Sequence, residues 1–518
     1  MRQGWFFKIF LAIVFIILVS VRCLHLTADA PLSFPNGWRS YETFTDEAAK
    51  AYQSRNYALF GKWNTSAQDQ YQIWKTLSPV WVYPLMLWFK AFGVSYTTLR
   101  IFSIVWFVIG LLLILLLWRT SILKNAGVYA VLFFNFNFFL FIYSRLGLME
   151  TMLNTFLLLS VCLLAFSFKQ KWFFPLSLLA FLSAYFIKQN ALLMAPVFIA
   201  GYFLTFGNPV QKKFWLNKAN WASVLIAILS ISMLYYLWHQ PAYRLFTIMN
   251  IRHGYGLPPD TSRTGLVIRT DFIRDSISYH LSLIGLWQTY FAFDPVVSAL
   301  ALVEIICIIY FWFRHKKQEN VELLLLVWLL CFRFFLAESS ARVERFWLPQ
   351  VPAMLLLAGA GLSRIAQLLD KKSARLKIIL VSMVILLSFA WNFYFWLKWF
   401  SHPRYELISA GKKLEQALGD KPAVVIGKWA GPLLFPSKHQ YYYVKNIFNR
   451  KPQQLNSFGI NYILFGEAPL LVRYKFELEQ DSYQISFQQA FPKTFAEKKL
   501  ITEVPFYEGK LLLYQVSF

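Results

Sequence analysis

The chain is poor in charge. Only 15% of its 518 residues are Asp, Glu, Lys or Arg, against 58% hydrophobic residues and a mean hydropathy of +0.46. That balance excludes a soluble domain with an ordinary surface and places the chain among membrane proteins. The sequence also lacks an internal repeat, a low-complexity tract and a Walker-type phosphate loop. Its four cysteines, Cys23, Cys162, Cys307 and Cys331, lie in or beside apolar runs with no CxxC or metal-type spacing, so they read as core packers and leave the redox compartment open. What is abundant is aromatic: 19% of the chain, with 20 Trp and 27 Tyr, enough for two interfacial belts. The formal charge of +25 is spread in short clusters between apolar segments, which points to membrane orientation and not to nucleic acid.

Eleven apolar runs are candidate spans: 5–21, 99–118, 126–143, 150–167, 172–187, 191–206, 221–238, 295–313, 321–337, 346–363 and 378–399. No small-residue cleavage site follows the first, so it reads as a retained helix. Several are short for a bilayer of about 30 Å. With the N-terminus in the cytoplasm, every inside loop is basic, from Arg2 and Lys8 to Lys371, Lys372, Arg375 and Lys377. Two long loops, 22–98 and 239–294, then lie outside together with brief turns near Ser144, Lys188 and Ser339. The expected architecture is an α-helical polytopic membrane protein, residues 1–400, with an extracytoplasmic domain, 401–518. In that domain Arg404 to Leu418 has helical apolar spacing ending at Gly419-Asp420, and strand-like pieces follow at 423–426, 441–444, 462–465 and 511–516. A small α/β unit is the expectation.

The polar residues of chemical interest fall on the outer side. The first loop carries Asp46-Glu47, Arg55 and Lys75 among aromatic residues (Tyr52, Tyr57, Phe60, Trp63, Trp74) spaced so that two short helices can lie in the interface and fold back on the bundle. Alone, an Asp-Glu pair in a loop is a solvated charge. Held at an interface, a carboxylate is partly desolvated, its proton affinity rises, and it becomes a candidate general base. Glu150 opens the fourth span after Ser144-Arg145, where a carboxylate also suits the helix dipole. Lys188 closes the next outer turn, where a snorkelling lysine is the plain alternative. Arg342 and Arg345 precede the tenth span, and the second long loop adds Arg252 and His253. Acids and cations converging on one membrane face can clamp an anionic phosphate leaving group and deprotonate an acceptor. A divalent cation, Mg²⁺ or Mn²⁺, is a candidate cofactor for two outer carboxylates, although hard cations prefer more oxygen ligands than are visible.

In motif order the first 360 residues or so resemble the GT-C membrane glycosyltransferases of the protein O-mannosyltransferase and lipid A aminoarabinose transferase superfamily. Asp46-Glu47-Ala48 with Gly61-Lys62-Trp63 resembles the first-loop acidic motif. Lys75 with Ser78-Pro79, Trp81 and Tyr83-Pro84-Leu85, then Phe92-Gly93 and Arg100, resembles the lysine-proline segment. Ser144-Arg145 with Glu150 resembles the Arg-then-acid motif, though many relatives carry Asp at the second acid. Lys188 with Pro196, and Arg345 with Pro349 and Pro352, resemble the later motifs. The resemblance implies a bacterial inner-membrane enzyme that moves a sugar, with inversion, from a polyprenyl-phosphate donor to a protein, lipid or glycan acceptor on the periplasmic side. It further implies Asp46 as base, Glu150 orienting the acceptor or a cation, and Lys75, Lys188 and Arg345 at the donor phosphate, with Glu47, Arg55, Tyr83, Arg145, Arg252, His253 and Arg342 as further substrate contacts.

Two other classes compete. A transporter or flippase would place charges near the bilayer midplane and show a repeat, and a scaffold would give the first-loop acid no role. Within the enzyme class, a diphosphate-donor oligosaccharide transferase or ligase is the nearest alternative.

Overall fold

The structure, a computed structural model, describes residues 13–31, 34, 42–65, 74–119, 123, 125–207, 216–240, 243, 291–314, 320–336, 347–370, 373–427, 429–442, 459–466, 487–488, 491–507 and 509–516. Within the described residues, each of the eleven apolar runs coincides with helix. In chain order these are α1 (Ile13–Cys23), α5 (Tyr96–Trp118), the pair α6 (Ala126–Phe136) and α7 (Phe138–Arg145), α8 (Met149–Ser167), α9 (Phe173–Tyr185) and α10 (Gln189–Phe206). They continue as α11 (Lys218–His239), α12 (Pro295–Phe313), α13 (Asn320–Leu336), α14 (Leu348–Asp370) and α15 (Ala374–Ser401). Among the described residues seven helices are long and apolar enough to cross a membrane, or eight if the bent pair counts as one span. Of the rest, α9 has only 13 residues, α13 carries Glu322 and Arg333, and the described part of α1 starts at Ile13.

The run 126–143 is not one straight span. It bends by 69° at Asn137, whose side chain accepts the Leu140 N–H and so starts a new helix. The amide of Phe138, freed by the break, is taken by Asn392 Oδ1 of α15 at 2.8 Å. The same Asn392 donates to Asp294 at 2.6 Å, and Asp294 caps α12 through Val296 and Val297. A break inside a bundle persists only when its backbone groups find such partners.

The bundle core is built on α8 and α14, each 78% buried. Gly359 and Gly361 let α14 approach its neighbours, since a Cβ on either would lie 2.6 Å from Ala126 O or 2.4 Å from Leu300 O.

At one end of the bundle lie α2 (Glu42–Phe60), α3 (Trp74–Leu77) and α4 (Pro79–Phe92). The α/β unit packs on them. It comprises α16 (Glu406–Leu418), β1 (Val424–Ile426), α17 (Ala430–Leu434), β2 (Gln440–Tyr442), β3 (Tyr462–Gly466), α18 (Pro492–Ala496), β4 (Lys499–Phe506) and β5 (Gly509–Gln515). The sheet order is β2-β1-β3-β5-β4, parallel across β2, β1 and β3 and antiparallel from β3 outward. Gly419, at φ +67°, ends α16 as the sequence indicates. Strand β4 is an addition to the four expected strands.

Candidate active site

Helix α2 carries the first-loop acids, and adjacent acids on a helix face different ways, about 100° apart. Glu47 points into the bundle and is fully buried. Its carboxylate accepts Arg100 Nε at 3.0 Å and Nη2 at 2.7 Å, and Oε1 also accepts the Gly147 N–H at 2.6 Å. Arg100 gives Nη1 to the carbonyls of Leu26 and Ala28. Expected at the substrate, Glu47 is instead committed to a buried fork-on-fork pair. Gly147 has no room for a side chain, since its Cβ would lie 2.1 Å from Leu99 Cγ. It sits in the α7–α8 turn between Arg145 and Glu150, so the Glu47 brace draws α2, and Asp46 with it, onto that turn.

Asp46 is half-buried. One helical turn on, the Lys50 ammonium sits 3.4 Å from the Trp74 ring centroid. Lys75 and Tyr83 meet around Trp63: the ammonium lies 5.6 Å from the indole centroid, and Tyr83 packs edge-on at 5.3 Å. Across the bundle mouth Lys188 Nζ pairs with Glu150 Oε1 at 2.5 Å, with the side chains 21% and 5% exposed. Two residues from separate turns thus form one partly desolvated pair. Arg145 is buried too. Its Nη2 donates to His25 O at 2.5 Å, its guanidinium lies 4.3 Å from the Trp399 centroid, and its Nη1 meets no acceptor among the described residues.

Arg55 goes elsewhere. Fully buried, it donates to the carbonyls of Phe435, Leu434, Ser437 and His439 at 2.7–3.1 Å, which places a cation at the C-terminal end of α17. This bond set ties α2 to the α/β unit rather than leaving the guanidinium for a substrate. Arg252, His253, Arg342 and Arg345 lie outside the described residues.

Other charged residues were not singled out from sequence. Arg22, fully buried at the end of α1, gives its donors to Ser144 Oγ, Asn135 and the carbonyls of Leu18 and Phe134, all neutral. Asp29 follows in the strap after α1. Its Oδ2 accepts the N–H groups of Glu406 and Leu407, capping α16 from a distance, and the Tyr507 hydroxyl at 3.2 Å. Its Oδ1 is buried without a partner among the described residues, and burial pushes the carboxyl up to about 6 against the pull of Arg100. The signal for both was a lone charge flanked by apolar residues. A third set lies in the bundle, where Arg364 pairs with Glu304 at 2.8 Å and with Glu322, both acids fully buried. Arg364 stands 16 residues along α14 from Leu348, about 24 Å from the mouth, so buried charge is not confined to one end.

Among the described residues no three His, Cys, Asp or Glu side chains group so as to hold a metal ion.

No protein-family model and no curated protein matches the sequence. Solved structures do match by backbone. The chain is similar to ArnT from Cupriavidus metallidurans bound to undecaprenyl phosphate, with a TM-score of 0.61 and 12% identity over 99% of this chain and 98% of that one. It is similar at a lower level to the Archaeoglobus fulgidus oligosaccharyltransferase in the apo form (TM-score 0.47, 11% identity, 92% and 71% of the two chains). A complex of the A. fulgidus enzyme AglB with an inhibitory peptide and a dolichol-phosphate gives 0.45 at 11% identity, over 93% and 71%. At these identities the likeness speaks for the fold alone, and the fold of this chain is that of the GT-C membrane glycosyltransferases.

Proposed function

We propose that the protein is a membrane glycosyltransferase that moves a sugar from a polyprenyl-phosphate donor to an acceptor on the extracytoplasmic side of a bacterial inner membrane, with inversion. The observation that carries this reading is the Glu47 brace, because its bond to Gly147 N brings the Asp46 helix against the turn that bears Arg145 and the Glu150–Lys188 pair. The ArnT structure with undecaprenyl phosphate supports the class of donor. In this mechanism the acceptor hydroxyl or amine attacks the anomeric carbon as the bond to the phosphate oxygen breaks. Asp46 takes the acceptor proton, and the departing polyprenyl phosphate, already acidic, needs cations and no proton. Lys75, Lys188 and Arg145 supply that positive charge, while Glu150 fixes Lys188 and orients the acceptor.

Asp46→Asn is expected to lower transfer at least ~100-fold at unchanged protein level, the scale of a lost general base. The assay is mass spectrometry of lipid-linked sugars and envelope glycans with and without the gene, complemented by each variant. Full transfer by Asp46→Asn would refute the base, and unchanged lipid-linked sugars in the deletion would refute the donor class.

A further inference from the structure

Arg145 is held in an unusual way. A buried arginine is ordinarily matched by a carboxylate, which fixes it and cancels its charge together. Here no carboxylate among the described residues pairs with it. A single main-chain carbonyl, that of His25, holds Nη2 at 2.5 Å, and Trp399 supports the guanidinium face at 4.3 Å. The cation is therefore fixed in place with its charge intact and with Nη1 unused.

The carbonyl points at Arg145 because His25 has φ +48°, the left-handed region that residues with side chains seldom adopt. The ring shows what keeps it there. His25 Nδ1 lies 2.5 Å from the Tyr405 hydroxyl, and the imidazole sits 6.5 Å from Trp399 and 6.0 Å from Phe400. Four residues later Asp29 receives Trp399 Nε1 on its carbonyl and gives its own N–H to Arg404. Residues 25–29 are thus strapped to the junction between α15 and the α/β unit, and Arg145 hangs from the strap.

We propose that His25 is a positioning residue for the anionic group of the donor: its left-handed backbone, locked by Tyr405, aims Arg145 so that Nη1 meets a phosphate oxygen. The proposal rests on the polyprenyl-phosphate reading above. It makes the docking of the α/β unit a condition for lipid-phosphate binding.

The test uses the full chain in lipid nanodiscs and undecaprenyl phosphate as the probe. His25→Val, whose branched side chain cannot keep the left-handed backbone, is expected to weaken binding ~10-fold, the value of one charge-assisted hydrogen bond. His25→Gly, which favours that backbone, should stay within about twofold. In an Arg145→Ala background His25→Val should add nothing, because its effect passes through that guanidinium. Should His25→Val fail to fold, Tyr405→Phe takes its place, with a ~3-fold loss that also disappears in the Arg145→Ala background. Wild-type affinity in both His25→Val and Tyr405→Phe, or losses that add to that of Arg145→Ala, would overturn the positioning role alone. A wild-type chain that neither binds the probe nor transfers sugar would overturn the donor reading and this inference with it.

Discussion

Two buried arginine clusters, one at the mouth of the bundle and one in its depth, use the same groups in different proportion. Arg100 meets one acid, Glu47, and fills its remaining donors with the Leu26 and Ala28 carbonyls. Arg364 meets two acids, Glu304 and Glu322. The first is neutral and organises the candidate site by fixing α2 against the α7–α8 turn. The second crosslinks α12, α13 and α14 by setting two acids on one arginine. Buried pairs contribute little net stability when intact and cost much when one partner goes, so their value lies in fixing which helices meet.

The difference can be pressed experimentally. Arg364→Leu would take the shared arginine from two fully buried carboxylates and is expected to cost about 5 kcal/mol, seen as loss of folded protein in detergent. Glu47→Ala strands one arginine, with an expected cost of ~3–5 kcal/mol in thermal unfolding. It should also reduce transfer, because α2 is released from Gly147. Asp29, near Arg100, probes whether the mouth cluster has charge to spare. Its folded-state value, pushed from 3.8 up to about 6, means that the folded chain binds the proton more tightly than the unfolded one. Stability from this group is therefore present at low pH and lost as pH rises from about 4 to 6, by about 3 kcal/mol. Asp29→Asn should flatten that stretch of the stability profile; an unchanged slope would assign it to other groups. The smallest effect is expected for Glu322→Gln, within about 1 kcal/mol, since Glu304 alone can neutralise Arg364. A large loss there would mean that both carboxylates must be charged.

The sequence made the helices legible because apolar length is a local property, but it hid their neighbours. Helices α8 and α11 have the same hydropathy, 1.8, yet one is 78% and the other 6% buried. Lipid tails and a protein core are equally apolar, so hydropathy cannot separate them. The placement of bonded polar residues differs: Asn154 and Thr155 of α8 bond Leu348 O and Trp106 O, while α11 takes a cross-helix bond at its first turn, where Asn220 accepts the Tyr202 hydroxyl, and Ser230 at its middle bonds its own helix. The sequence put the Glu150 and Lys188 turns at the same end of the helices, but their pairing was not legible in it. The difference in burial between Asp46 and Glu47 was not legible, because it depends on which of them faces Arg100. Strand β4 escaped notice because its first residues are exposed on both faces and Pro505 stands near its end, as suits the edge of a sheet.

The bend at Asn137 has a geometric consequence for depth. Eleven residues of α6 rise about 16 Å, and the eight of α7, turned by 69°, add only about 4 Å along the same axis. A straight helix of 20 residues would climb about 30 Å. Arg145 thus ends some 10 Å lower along the α6 axis than an unbroken helix would have carried it, folded back beside the bundle and not projecting beyond it.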